Sequence, residues 1–248
     1  RMRELEDGLL ARGSAQRQVI RISGLGSVLK TLLPAAIGVI RGDIGGRQFD
    51  LHDASPQEVL SDLVQRRVAL GLLPAGFAAQ LPPEFMRTPV FDDPYRLAVP
   101  SPTDRSAIGA RYAALHPGQL ETLLAGVEFV YGHGSGAKNW LRQLLPGARI
   151  MAQCRSFDVA IGMVRAGLGI CLTPSLPALT AVGVPMEGVA LYRLRLAPRR
   201  IVAAHLDSFG DSEPVRALVR QLVAVGRRTP LQLTPAPQFL DRLGPRDI

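Results

Sequence analysis

The residues whose types and spacing suit chemistry cluster in short loops, and the first of them is Gly24-Leu25-Gly26-Ser27. It follows an apolar segment and opens a helical one, the setting of a phosphate cradle. A dinucleotide fingerprint spaces its glycines as GxGxxG. Gly24 and Gly26 fit the first two positions, but Leu29 fills the third. No segment matches GxxxxGK followed by Ser or Thr. What remains is a helix start whose backbone N–H groups, with the Ser27 hydroxyl, suit an anion or polar group. Equally, Ser27 can serve only as the helix N-cap. Three further loops share the strand-to-helix design: Leu73-Pro74-Ala75, Gly132-His133-Gly134-Ser135 and Arg155-Ser156-Phe157.

Other reactive residue types form no constellation. His52, His116, His133 and His205 lie far apart with no HxxxH spacing, so no metal site is expected. His133 alone sits in a loop that a ligand would face. No GxSxG elbow occurs, and Asp92-Asp93, between Phe91 and Pro94, reads as a turn rather than an acid–base pair. No catalytic residue and no cofactor is therefore assigned, and the chain reads as a binding module rather than an enzyme. Cys154 and Cys171 are too few for a disulfide scaffold and fall in expected strands, where thiols usually pack. A reducing, cytoplasmic setting is the expectation. Trp140, the only tryptophan, reads as core packing.

Composition narrows the classes. The chain has 248 residues, 47% hydrophobic, enough for one large core or two smaller ones. No apolar run reaches the roughly 20 residues of a membrane span, and no membrane partner is expected. The opening "RMRELEDGLLARG" is charged and amphipathic, unlike a secretory signal, and Arg1 is read as interior to a longer chain. Net charge is +8, and Lys30 and Lys138 are the only lysines, so arginine carries it. With only 5% aromatics and no basic run interleaved with them, solvated helix faces explain the charge better than direct nucleic-acid binding by these residues.

The elements that must hold the loops alternate. Residues 2–12 read as the end of a helix and Gln18–Ser23 as a strand. A helix follows over 27–41, capped by Ser27, with Pro34 kinking it or beginning a second segment. "RQFDLHDA" reads as a strand. "SPQEVLSDLVQRRV" has Ser55 as cap, Pro56 at the first helical position and Glu58 closing a capping box. "ALGLLP" is a fully apolar strand, which completes a βαβαβ unit. A proline-rich connection leads to a strand ending at Pro100-Ser101, and the alternation restarts with "VEFVYG", "RIMAQCR", "SFDVAIGMVRAG" capped by Ser156, and "GICLTP". "RRIVAAHLDS" and "SEPVRALVRQLVAVGRR" lack a sheet of their own and are expected to return to the first unit. The expected fold class is α/β, with two subdomains of similar size joined by two crossing segments. Residues 17–99 and 198–228 would form subdomain I, and 100–197 subdomain II. Pro100 and Ser101 would be the hinge, and 229–248 a proline-rich tail.

This order of landmarks resembles the effector-binding domain of LysR-type transcriptional regulators. The segments that carry the resemblance are "IRISGLGSVLKTLLPAAIGVIR", "SPQEVLSDLVQRRVALGLLP", "TPVFDDPYRLAVPS" and, above all, "SFDVAIGMVRAGLGICLTPSL". The likeness covers about residues 18–226. It implies a fold like type 2 periplasmic binding proteins, with two Rossmann-like subdomains joined by two crossing strands, a small effector between the subdomains, and DNA contact through an N-terminal winged helix-turn-helix absent from this chain; polar loop groups make a carboxylate-bearing effector the expectation. It also implies that residues 1–16 end a linker helix, and assembly as a homodimer or homotetramer. By position it implies an effector lining of Leu25, Ser27, Leu73, Pro74, Ala75, Gly132, His133, Gly134, Ser135, Ser156, Phe157, Thr173 and Pro174. Peroxide-sensing members carry a cysteine where this chain reads "GHGSG", so a switch of that type is not expected. The connection "RSAIGARYAALHPGQLETLLAG" is long for the family. A transporter's periplasmic solute-binding protein shares the fold and is the rival reading.

Overall fold

The computed structural model describes residues 19–42, 47–100, 128–132, 149–154, 156–180, 188–193, 197–206 and 212–229. The chain divides into two compact units. Unit 1 comprises Arg1–Asp92 and Arg200–Thr229, and unit 2 comprises Asp93–Arg199 and Pro230–Ile248. The change-over therefore falls between Asp92 and Asp93, not at the expected joint Pro100-Ser101. The reason is pairing: the strand Tyr95–Pro100 is hydrogen-bonded on both sides to unit 2 strands, with Pro100 opposite Val189. Ser101 lies outside the described residues. The return crossing falls between Arg199 and Arg200, close to the expected 197/198 boundary.

Unit 1 opens with β1 (Val19–Gly24), α1 (Gly26–Ile40), β2 (Gln48–Asp53), α2 (Pro56–Val64) and β3 (Leu70–Pro74). Both β2 and β3 pair in parallel with β1, as βαβ connections require. A single turn, α3 (Ala75–Ala78), leads to β4 (Phe85–Asp93). The sheet order is β2-β1-β3-β10-β4, with the late strand β10 (Arg199–Leu206) antiparallel to β3. The closing helix α6 (Ser212–Arg228) lies against α1. The sequence assigns a strand only to the second half of "TPVFDDPYRLAVPS", whereas β4 covers its first half and the three residues before it. It is an edge strand, where Pro89 breaks no inner ladder.

Helix α1 buries Val28, Leu29, Leu32, Leu33, Ala36 and Ile40, one stripe at helical spacing. It runs unbroken through Pro34, whose exposed position leaves the missing N–H bond on the solvent side. Ser27 is not its cap. Leu25 is the N-cap, without a side-chain hydrogen bond, and Ser27 lies inside the first turn. The expected cap of α2 is present: Ser55 Oγ accepts from Glu58 N, and Glu58 Oε2 accepts from Ser55 N at 2.7 Å. At its other end Arg66 takes φ 56°, a left-handed conformation that Arg67 N–H to Asp62 O at 2.9 Å closes. Glycine holds that conformation without a Cβ penalty. Arg66→Gly is therefore expected to stabilise the chain by about 0.5–1 kcal/mol, read from urea unfolding.

Unit 2 holds β5 (Tyr95–Pro100), β6 (Glu128–Gly132), β7 (Arg149–Cys154), α4 (Phe157–Arg165), β8 (Cys171–Pro174), α5 (Ser175–Thr180) and β9 (Val189–Arg193). Strand β5 is central, antiparallel to β8 and β9, while β6 and β7 form a parallel pair beside β8. Ala98, Ala160, Ile161, Val164, Cys171, Ala178 and Val189 make one core under α4 and α5. The "AGLGI" turn after α4 needs its glycine: Gly167 has φ 76° while Gly167 N–H and Leu168 N–H close the helix end on Val164 O and Met163 O. The thiol of Cys154 lies 3.6 Å from Met163 Sδ, and Cys171 is buried; neither is in a disulfide. Burial pushes the Cys154 thiol up. Among the described residues no helix is long and apolar enough to cross a membrane.

Candidate functional site

In unit 1 the expected residues gather where β1 and β3 end. Gly24 stands opposite Leu72 across the parallel pair, and Leu25 N–H reaches Leu72 O at 3.2 Å, so the Gly24–Ser27 turn lies beside Leu73-Pro74-Ala75. The strand β2 ends on the other side, with Ala54 N–H bonded to Gly24 O at 3.0 Å. Ser27, Pro74 and Ala75 are half-buried. Leu25 is buried, and Leu73 is fully buried in the core with Val59, Leu63, Phe85 and Val202. Leu73 thus packs the unit rather than facing its surface.

Beneath this turn lies a polar cluster that sequence reasoning missed. Asp62, buried on α2, accepts from Ser23 Oγ at 2.8 Å and from Arg67 Nε at 2.9 Å, and lies 3.1 Å from His52 Nδ1. Burial raises its pKa, but the hydrogen bonds from Ser23, Arg67 and His52 and the Arg67 charge outweigh it and hold the carboxyl below the usual range. Three elements are tied at one point: Ser23 precedes the turn, and His52 stands opposite it on β2.

In unit 2 Gly132 ends β6 opposite Cys154 at the end of β7, the strand that precedes α4 in the chain. Ser156 caps that helix as expected, its Oγ accepting from Asp158 N at 3.1 Å, and Ser156 and Phe157 are half-buried. Thr173 and Pro174 end β8 and are buried, and Thr173 Oγ1 donates to Pro174 O. His133, Gly134, Ser135 and Arg155 lie outside the described residues, as do Trp140 and His116.

A second unforeseen cluster joins β5 to α5. Arg96 is buried opposite Thr173, and its Nε donates to Ser175 Oγ at 2.8 Å. Ser175 Oγ donates in turn to Pro94 O at 2.8 Å. Asp93, wholly buried, accepts from Leu176 N at 2.9 Å and from Arg199 Nη2 at 2.7 Å. Its neighbour Asp92 pairs in the open with Arg200, at 2.8 and 3.1 Å. The sequence reads Asp92-Asp93 as a turn; both residues instead end β4, and each carboxylate is bound to an arginine at a chain crossing. The sequence signal was a charged residue, Arg96, inside the apolar strand "YRLAVP". Among the described residues no group of His, Cys, Asp and Glu is arranged to hold a metal.

Comparisons with known proteins agree with this architecture. No curated protein matches the chain significantly. Among solved structures, the effector binding domain of a BenM variant matches with TM-score 0.63 and 18% identity, covering 85% of this chain and 95% of that one. HinK, a LysR family transcriptional regulator from Pseudomonas aeruginosa, matches with TM-score 0.63 and 17% identity over 91% of this chain and 78% of its own. The effector binding domain of QuiR, solved in complex with shikimate, matches with TM-score 0.64 and 14% identity over 85% and 97%. The family model for the LysR substrate binding domain matches residues 13–227. Such domains are regulatory, effector-binding modules and not enzymes. With that match running through both units, the chain belongs to the LysR substrate binding domain family.

Proposed function

We propose that this chain is the sensing domain of a cytoplasmic LysR-type regulator, and that it takes a small carboxylate-bearing effector between its two units. The observation that carries this reading is the gathering of half-buried polar loop ends in each unit. In unit 1 these are Ser27 with Pro74-Ala75; in unit 2 they are Ser156 and Phe157 beside Gly132. Helix starts with a hydroxyl suit a carboxylate, while Phe157 offers apolar cover. The QuiR domain, which holds shikimate, a hydroxylated carboxylic acid, supports the ligand class. His133, Gly134 and Ser135 complete the proposed lining. DNA contact belongs to an N-terminal winged helix-turn-helix outside this sequence, in a homodimer or homotetramer. The effector acts by binding one arrangement of the units better than another.

The test is a calorimetric screen of small carboxylates followed by Ser156→Ala. Loss of the cap is expected to cost about 1 kcal/mol of stability. Loss of the hydroxyl is expected to weaken the effector about ten-fold, while Ser156→Thr retains most of both. Full effector affinity in Ser156→Ala would remove Ser156 from the pocket.

A further inference from the structure

We propose that the corner Pro174-Ser175-Leu176 couples the effector lining of unit 2 to both chain crossings, with Ser175 as the positioning residue. This deepens the proposed function and rests on it, with Thr173 and Pro174 counted in the lining.

The corner joins β8 to α5. Thr173 stands opposite Arg96 and Pro174 opposite Tyr95, so the peptide that follows meets Pro94, the residue between β4 and β5. Ser175 N–H donates to Pro94 O at 2.8 Å, and Ser175 Oγ donates to the same oxygen at 2.8 Å. The hydroxyl also accepts from Arg96 Nε at 2.8 Å. Ser175 is wholly buried, so water does not replace these bonds. The first crossing leaves unit 1 after Asp92, and the corner grips it at Pro94.

The second crossing reaches the same corner. Leu176 N–H donates to one oxygen of Asp93 at 2.9 Å, and the other oxygen accepts from Arg199 Nη2 at 2.7 Å. Asp93 is the first residue of unit 2, and Arg199 is the last before the chain returns to unit 1. One buried carboxylate thus holds both crossings and an amide of the corner.

The path from lining to crossing is therefore short. A group bound against the end of β8 displaces the next peptide, and that peptide is bonded to the crossings. An effector shifts an equilibrium only by favouring one arrangement over another, so a difference in position must be carried from where it binds. Directional hydrogen bonds carry it here, and a single substitution can break one of them.

The test reads backbone amide signals of the 248-residue chain by NMR, with Thr173→Val as the probe. That change removes the bond from Thr173 Oγ1 to Pro174 O and disturbs the lining without a ligand. Alone, it is expected to shift the amides of Asp92, Asp93 and Arg200. Added to Ser175→Ala, it should no longer shift Asp92 and Asp93; added to Ser175→Thr, which keeps the hydroxyl, it should. Added to Asp93→Asn, which weakens the hold on Arg199, it should shift Arg200 less. A merely structural Ser175 would lower stability to urea and leave the probe's shifts at full size, which would overturn the proposal. So would the absence of shifts at the crossings for Thr173→Val alone. Should Ser175→Ala fail to fold, an undiminished Arg200 shift in Asp93→Asn overturns the proposal instead. No arm uses an effector, so failure of the pocket and failure of the coupling are told apart.

Discussion

Replacing Asp93 with alanine is expected to cost about 3–5 kcal/mol, more than any other single change at the chain crossings. Asp93 is wholly buried and is the first residue of unit 2. One oxygen accepts from Leu176 N at the start of α5, and the other takes the Arg199 guanidinium, whose side chain is 11% exposed. Alanine would leave that guanidinium nearly buried without its carboxylate and an amide of α5 without its acceptor. Asp93→Asn keeps the shape and one acceptor oxygen and should cost clearly less. Urea unfolding followed by far-ultraviolet circular dichroism measures both. A loss under about 1 kcal/mol for alanine would mean that the pair only balances its own desolvation. The exposed pair Asp92–Arg200 is the contrast: there the same chemistry is worth little, because both groups are open to solvent.

The pH dependence separates these carboxylates by sign. Burial pushes Asp93 up; the charge and hydrogen bond of Arg199 and the amides of Leu176 and Ser175 pull it back without cancelling the rise. A raised carboxyl contributes stability that is full below its ordinary value of 3.8 and is lost as pH rises through the folded value. Asp92, held down first by the hydrogen bond from Arg200, and Asp62 go the other way: their contributions are present above 3.8 and are lost as pH falls through their folded values. The stability of wild type relative to Asp93→Asn should therefore rise as pH is lowered from neutrality toward 3.8.

What the sequence made legible followed local rules. The capping box at Ser55-Glu58, the Ser156 cap and the parallel βαβαβ unit each depend on residues near one another in the chain. So did the return of "RRIVAAHLDS" to the first sheet, because an apolar strand without a sheet must find one. The readings that failed depended on tertiary context. Ser27 has the right residue type for a cap, but the turn at Gly24-Leu25 starts the helix before it. Pro34 begins no second segment: one helix runs from Gly26 to Ile40 with Pro34 on its exposed side. "FMRTPVFDD" carries a proline and three charged residues, which hide a strand at an edge where they are tolerated. The site was half legible. Glycine and serine marked the loops, but Asp62 and Arg96 gain their roles from partners on other elements. Asp62 accepts from Ser23, and Arg96 donates to Ser175. No spacing rule along the chain joins such pairs.

Asp62→Ala is the second large change, expected to cost about 2–4 kcal/mol. The cost arises from the residues it leaves behind. The Ser23 hydroxyl is wholly buried and donates to Asp62; without an acceptor it bears its full desolvation penalty. Arg67 and His52 are more than half exposed and can turn to water, so their ion pairs contribute little of the loss. This ordering can be measured by a double-mutant cycle. Adding Ser23→Ala to Asp62→Ala removes the orphaned hydroxyl and should recover about 1–2 kcal/mol, whereas adding Arg67→Ala should recover almost nothing. If both second changes recover equal amounts, the exposed ion pair matters more than its exposure allows. The location also ties stability to sensing. Ser23 is the residue before Gly24-Leu25-Gly26, and His52 the one before Asp53. Loosening Asp62 should therefore move the strand ends on either side of that turn. Asp62→Ala should shift the amide signals of Gly24, Leu25 and Gly26 in NMR spectra even under conditions where the domain is fully folded, while Asp92→Ala, far along the chain at a crossing, should leave them unchanged.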